Sequence, residues 1–161
     1  MTNTASAQRS TLWIVLALNL ALAAGLAVAG VSADSSALTA NALDNASDAV
    51  VYGISLFAIG RAPIWKQRAA HWLAALLLIF GLGVAADALR RFITGSEPIG
   101  LTMMAMAAIA AVVNLVCFFL LRRLKSDDVN LEAAETFSLN DFASNGGVLV
   151  AGAMVLWMTQ R

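Results

Sequence analysis

Charged side chains are scarce in this sequence. Asp, Glu, Lys and Arg make up 12% of the 161 residues, whereas apolar residues make up 60%. A typical soluble domain has about 25% charged residues. The ten basic and ten acidic residues cancel, so no excess of positive charge indicates a nucleic acid as partner. The apolar residues form long runs, and the sequence therefore predicts a membrane protein.

Cysteine and histidine are almost absent, with one residue of each type. The single cysteine, Cys117, excludes an internal disulfide and a cysteine metal cluster. Because Cys117 stands in an apolar run, we expect it to be a small buried or lipid-facing hydrophobe. We expect the single histidine, His71, to be partly solvated at a helix mouth, with metal ligation as the alternative. The sequence also has no nucleophile–base pair and no glycine-rich phosphate loop, so we do not expect an enzyme.

Five apolar segments are long enough to cross a bilayer as helices, which takes roughly 20 residues each. They cover residues 12–31, 37–59, 72–92, 99–121 and 137–158. We therefore predict an all-α fold, a polytopic transmembrane helix bundle of about five spans, forming one domain over residues 1–161 without a soluble domain. A cleaved signal peptide is the alternative for the first span, but its apolar run is longer than that of a usual signal peptide.

The basic residues indicate how the chain crosses the membrane. Seven of them precede the first span or lie in the two loops expected on the same side: Arg9, Arg61, Lys66, Arg68, Arg122, Arg123 and Lys125. The positive-inside rule then places the N-terminus in the cytoplasm, and we expect a bacterial inner-membrane protein. Arg90 and Arg91 do not follow this bias, because they lie on the side of the membrane expected to carry few basic residues. Asp87 precedes them by three and four residues, so we expect it to pair with them, with a role in ion passage as the alternative.

Two carboxylates interrupt the second apolar segment. Asp44 and Asp48 belong to a stripe of polar residues at helical spacing, Asn41, Asp44, Asp48, Tyr52 and Ser55. A carboxylate in the middle of a bilayer costs at least about 2.5–3.5 kcal/mol. A shared cation would compensate for the two like charges, and so would protonation. This pair can therefore hold either a metal ion or protons.

The fifth segment repeats this pattern. Asp141 and Asn145 lie four residues apart near its start, and we expect Asp141 to approach Asp44 and Asp48. Three carboxylates and an amide are hard ligands that suit Mg, Mn or similar ions. The alternative is that these acids face water near helix ends or pair with an Arg. Four further asparagines are interpreted mainly as helix–helix hydrogen-bonding residues: Asn19, Asn41, Asn45 and Asn114.

Two stretches resemble the cation diffusion facilitator family. The first is "SADSSALTANALDNASDAVVYGISLFA", which is similar to the turn and second helix of that family with its D/HxxxD pair. The second is "VNLEAAETFSLNDFASNGGVLVAG", which is similar to its fifth helix. The resemblance implies the first five helices of a six-helix, mostly homodimeric, proton-coupled exporter of divalent metals. It also implies that Asp44, Asp48 and Asp141 are metal ligands.

The sequence departs from that family at several positions. Phe137 stands where the family has a histidine in its HxxxD pair, and Asn145 is a tentative replacement ligand. His71 stands where the family often has a glutamate. The histidine-rich loop between helices four and five has no counterpart, and neither the sixth helix nor the cytoplasmic C-terminal domain has one within these 161 residues.

We therefore predict a secondary transporter that exports a divalent cation such as Zn, Mn, Fe or Co by proton exchange through a midmembrane carboxylate site. The alternative is a non-transporting membrane protein on the same scaffold, with a degenerate metal site and a regulatory or structural role. The expected partners are divalent cations, protons, the lipid bilayer and a second copy of the chain. Four glycines could make close helix contacts, including those of a homodimer: Gly25, Gly30, Gly81 and Gly83.

Overall fold

The described part of the chain forms five helices and follows the all-α prediction. The computed structural model describes the backbone of residues 2–58, 63–124 and 129–160, and side chains over 6–57, 81–124, 138–160 and at a few positions from 64 to 79. The helices are α1 (Thr2–Ser32), α2 (Ser36–Ala58), α3 (Pro63–Thr94), α4 (Gly100–Arg122) and α5 (Val129–Thr159). Each predicted span falls on one helix, except that position 59 lies outside the described residues and Ile99 precedes α4 as its N-cap.

Among the described residues, three stretches are long and apolar enough to cross a membrane by length and composition: Ser6–Ser32 in α1, all of α4, and Ser138–Thr159 in α5. The helix α2 carries two Asn and two Asp side chains, which lower its hydropathy. Many side chains of α3 lie outside the described residues. Large apolar side chains such as Val28 and Leu101 are exposed, as suits a lipid-facing surface. The protein is an integral membrane protein, and the five-span count remains a prediction.

Four helices pack into a bundle around two apolar clusters. The helix α1 packs against α2 and α4, α5 packs against α4 and α2, and α3 packs against α2. The large apolar cluster consists of Leu22, Leu26, Ala29, Ala33, Leu38, Ala42, Met103, Ala107, Ala110 and Val148. The small apolar cluster consists of Leu12, Val15, Tyr52, Cys117 and Leu121. Cys117 is buried in the small cluster, as expected.

A tight turn joins α1 to α2 and positions the start of α4. Asp34 adopts a left-handed conformation (φ 50°), which Asp tolerates better than most residues. The next residue, Ser35, caps α2, because its Oγ accepts a hydrogen bond from the backbone N–H of Leu38 at 3.3 Å. The backbone N–H of Ile99 donates to the carbonyl of Ala33 at 3.1 Å. This bond ties the start of α4 to the α1–α2 turn.

Asp87 pairs with both arginines that follow it, as predicted. Its carboxylate lies 2.9 Å from Arg90 Nη2 and 2.6 Å from Arg91 Nε. Ser36 Oγ donates to Asp87 Oδ2 at 2.9 Å, and Arg91 also pairs with Asp34. These contacts join the C-terminal part of α3 to the start of α2, so Asp87 has a structural role.

Glycines allow close backbone contacts at the end of the bundle that contains the α1–α2 turn and the start of α4. A Cβ atom on Gly100 would lie 2.6 Å from the carbonyl oxygen of Gly152 and 2.9 Å from the backbone N of Leu156. A Cβ atom on Gly30 would lie 2.7 Å from Thr39 Oγ1. The contact of Gly30 is therefore made between α1 and α2 within one chain. Positions Gly81 and Gly83 have open space beside them within the described part of the chain.

Candidate metal centre

A layer of polar side chains separates the two apolar clusters. It consists of six buried residues from four helices, here called the polar layer: Asn19 (α1), Asn45 and Asp48 (α2), Asn114 (α4), and Asp141 and Asn145 (α5). On α1, α2 and α4 these residues lie between members of the large and small clusters. The polarity is therefore concentrated at one level inside an otherwise apolar bundle.

Asp48 is held in this layer by a chain of hydroxyl groups. Its Oδ2 accepts a hydrogen bond from Tyr52 Oη at 3.2 Å, and Tyr52 Oη lies 3.1 Å from Ser138 Oγ on α5. Asp48, Tyr52 and Ser138 are all buried. The predicted stripe on α2 thus faces the bundle interior at Asp48 and Tyr52. The hydroxyl of Tyr52, which also contacts Ser138 on α5, positions the Oδ2 atom of Asp48.

Asp44 and Asp141 take different positions relative to Asp48. Asp141 is buried on α5, as Asp48 is on α2. Asp44 is exposed at the rim of the layer. The carboxylates of Asp48 and Asp141 are thus buried on two helices that pack against one another, while the approach of Asp141 to Asp44 and Asp48 and the role of all three as metal ligands remain predictions.

Asn145 joins α5 to α2 through its side-chain amide. Its Nδ2 donates to the carbonyl oxygen of Asp141 at 2.7 Å, and its Oδ1 accepts a hydrogen bond from Asn41 Nδ2. Asn41 in turn accepts at its own backbone oxygen from Asn45 Nδ2 at 2.9 Å. An amide oxygen has two lone pairs, so Asn145 retains one for a further contact. The helix–helix role predicted for Asn41 is confirmed.

Several polar atoms of the layer have no hydrogen-bond partner among the described residues: Asn19 Oδ1, Asn45 Oδ1, Asn114 Nδ2 and Asp141 Oδ2. Asn19 does bond through its Nδ2, to the carbonyl of Val15 at 2.9 Å and weakly to Cys117 Sγ on α4 at 3.6 Å. The sequence pattern predicts only a helix-packing role for Asn19 and Asn114. The sequence does contain a signal for a polar site at these positions, because the first and fourth apolar spans each contain one asparagine.

Within the described side chains, no three His, Cys, Asp or Glu residues converge as ligands of one metal ion. His71 is exposed on α3, in line with a partly solvated position. The side chain of Phe137 lies outside the described residues, although its backbone belongs to α5 one turn before Asp141. The layer therefore offers oxygen ligands, two of them buried carboxylates, and a bound cation would need amide, hydroxyl or water oxygens as well.

Comparison with known proteins gives one family match over most of the chain. The sequence profile of a family described as "Cation efflux transmembrane domain" matches residues 12–161. Two curated relatives are 27% identical over 84 residues, and both are zinc transporter ZitB, from Yersinia pseudotuberculosis serotype I (strain IP32953) and Yersinia pestis. The aligned part covers 52% of this chain and 27% of each relative. The match thus spans about a quarter of the relatives' length.

Proposed function

Because the chain belongs to the cation diffusion facilitator family, we propose that it exports a divalent metal cation across the inner membrane in exchange for protons. The observation that carries this proposal is the burial of Asp48 and Asp141, on two different helices, in one polar layer of an apolar bundle. Isolated carboxylates are costly in a bilayer and commonly mark ion or proton pathways.

In this mechanism, Asp48 and Asp141 bind the cation together with Asp44 at the rim and with amide or water oxygens. Metal ligation requires deprotonated carboxylates, so cation binding expels protons and protonation expels the cation. Rocking of the bundle about the polar layer would expose the layer to one side and then to the other. The predicted orientation places the N-terminus in the cytoplasm, and a homodimer is the expected assembly.

A metal-dependent thermal-shift measurement tests this proposal. We expect Mn²⁺ or Zn²⁺ to raise the melting temperature of the purified protein at mildly alkaline pH, because a ligand of the folded state stabilises it. The shift should shrink at mildly acidic pH, since protons compete for the carboxylates. Asp44→Ala should reduce the shift at alkaline pH, whereas Glu97→Ala, which removes an exposed loop carboxylate, should not. An equal shift in the parent and Asp44→Ala would count against the proposal.

A second candidate function is a non-transporting member of the family. It is favoured by Phe137 at the position of the family's histidine and by the lack of three converging His, Cys, Asp or Glu side chains in the described part of the chain. Such a protein would keep the bundle and have a regulatory or structural role. It would show no saturable cation transport at any pH.

Replacing Phe137 with histidine tests the importance of that position. A residue one helical turn before Asp141 shares its face of α5, and an imidazole nitrogen is a good Zn²⁺ ligand. We expect Phe137→His to raise the affinity for Zn²⁺ at least about tenfold, measured by competition with a fluorescent chelator. Phe142→His is the matched control, because Phe142 is exposed on α5. Equal Zn²⁺ affinities in the two variants would show that position 137 lies outside the site.

A further inference from the structure

Three amide atoms of the polar layer have no hydrogen-bond partner among the described residues, and they bear on the form in which the transported cation binds. Asn19 Oδ1, Asn45 Oδ1 and Asn114 Nδ2 come from three different helices. The three side chains are at most 1% exposed. Buried polar groups in native proteins are almost always hydrogen-bonded. The unpartnered atoms therefore indicate a bound group that offers both donors and acceptors.

We propose that Asn19, Asn45 and Asn114 form an amide wall that binds water molecules coordinated to the transported cation. This inference rests on the proposed function and specifies its substrate as a partly hydrated, hard divalent cation such as Mn²⁺ or Mg²⁺. The carboxylates of Asp48 and Asp141 bind the cation itself. The amide oxygens of Asn19 and Asn45 accept hydrogen bonds from metal-bound water, and Asn114 Nδ2 donates to an oxygen of the same cluster.

The ligand set of the layer supports this assignment. No three described His, Cys, Asp or Glu side chains form a ligand group for one metal ion, so a cation bound by Asp48 and Asp141 has coordination positions left for other oxygens. Mg²⁺ usually keeps several waters and is bound through one or two carboxylates. The layer has the same composition, with two buried carboxylates beside amides that can bind water. Its amide wall lies on α1, α2 and α4, so one hydrated cation contacts all four packed helices.

Asparagine-to-leucine variants separate this role from a structural one. Leu is similar in shape to Asn, and it removes the buried unpartnered atom of Asn19 or Asn114. In Asn19→Leu the bond from Nδ2 to the carbonyl of Val15 is lost as well, but the net worth of such a bond is no larger than the cost of leaving a buried polar atom unpaired. We expect Asn19→Leu and Asn114→Leu to melt at or above the parent's temperature without metal. We expect them to bind Mn²⁺ about 10–100-fold more weakly, as is usual when a group that orients metal ligands is removed. A purely structural role would lower both stability and affinity.

The experiment measures Mn²⁺ binding by electron paramagnetic resonance on the full chain in detergent, with Asn140→Leu as matched control because Asn140 is exposed on α5. In D₂O, deuterium couplings from directly bound water are expected in the parent. A fully dehydrated Mn²⁺, or parent-like affinity in both Leu variants, overturns the amide wall. Asp48→Ala distinguishes the two proposals. Parent-like Mn²⁺ binding in Asp48→Ala overturns the proposed function. If Asp48→Ala loses Mn²⁺ binding while both Leu variants keep it, only the amide wall is overturned.

Discussion

Cation transport is expected to fall at least about 100-fold in Asp48→Ala. Asp48 is the buried carboxylate of α2, and α2 packs against α5, which carries the buried Asp141. Removing a residue that only orients a metal ligand costs about 10–100-fold in affinity. Asp48 is proposed to bind the metal itself, so we expect a loss at or beyond the upper end of that range. The measurement is metal uptake into proteoliposomes under an imposed pH gradient, with a metal-sensitive dye inside.

The fold should survive this substitution, because it removes a carboxylate that is costly in a membrane and leaves the Tyr52–Ser138 contact in place. Glu97→Ala is the control, since Glu97 lies exposed in the α3–α4 connection, and it should transport at the parent's rate. Asp48→Asn keeps the side-chain shape and separates charge from packing. Uptake by Asp48→Ala at the control's rate would rule out Asp48 as a transport residue.

The second large effect is expected on stability, in Gly100→Ala. The added methyl would lie 2.6 Å from the carbonyl oxygen of Gly152 and 2.9 Å from the backbone N of Leu156. Both atoms belong to the backbone of α5, so the two helices must separate rather than one side chain adjust. Overpacking of this kind costs about 1–3 kcal/mol, and we expect the upper end. The measurement is the free energy of unfolding in mixed detergent micelles titrated with sodium dodecyl sulfate.

Gly83→Ala provides the matched control for this substitution. Gly83 lies in α3 and has no atom within 4 Å of an added Cβ. Alanine is favoured over glycine in a helix interior by about 1 kcal/mol, so Gly83→Ala should be neutral or stabilising. Identical unfolding curves for Gly83→Ala and Gly100→Ala would show that the close α4–α5 contact does not contribute to stability.

The fold was largely predictable because it follows from hydrophobic length. Apolar runs of about 20 residues specify helices in a bilayer, and each predicted span falls on one helix apart from positions 59 and 99. The ion pairs of Asp87 were predictable for a similar reason, since their partners lie within one helical turn. The close contact of Gly100 with Gly152 was not, because it joins residues about 50 positions apart, and their spacing in the sequence gives no signal.

The site was predictable in its carboxylates but not in its surroundings. Helical spacing placed Asp48 and Tyr52 on one face of α2, and both are buried there. Spacing within a helix does not determine which neighbouring helix a side chain meets. The contact of Tyr52 with Ser138 and that of Asn41 with Asn145 could therefore not be predicted from the spacing. The spacing also placed Asp44 in the same stripe, although Asp44 lies at the edge of that face and is exposed.

The close glycine contacts hold two helix pairs together at one end of the bundle. Gly30 meets Thr39 there, Gly100 meets Gly152, and the bond from Ile99 to Ala33 joins the two pairs. A helix of about 20 residues is roughly 30 Å long, so a tilt of about 10° about this end would move the far end by roughly 5 Å. The polar layer, about halfway along, would move about half as far. Under such a tilt the far end of the bundle would therefore open about twice as far as the polar layer.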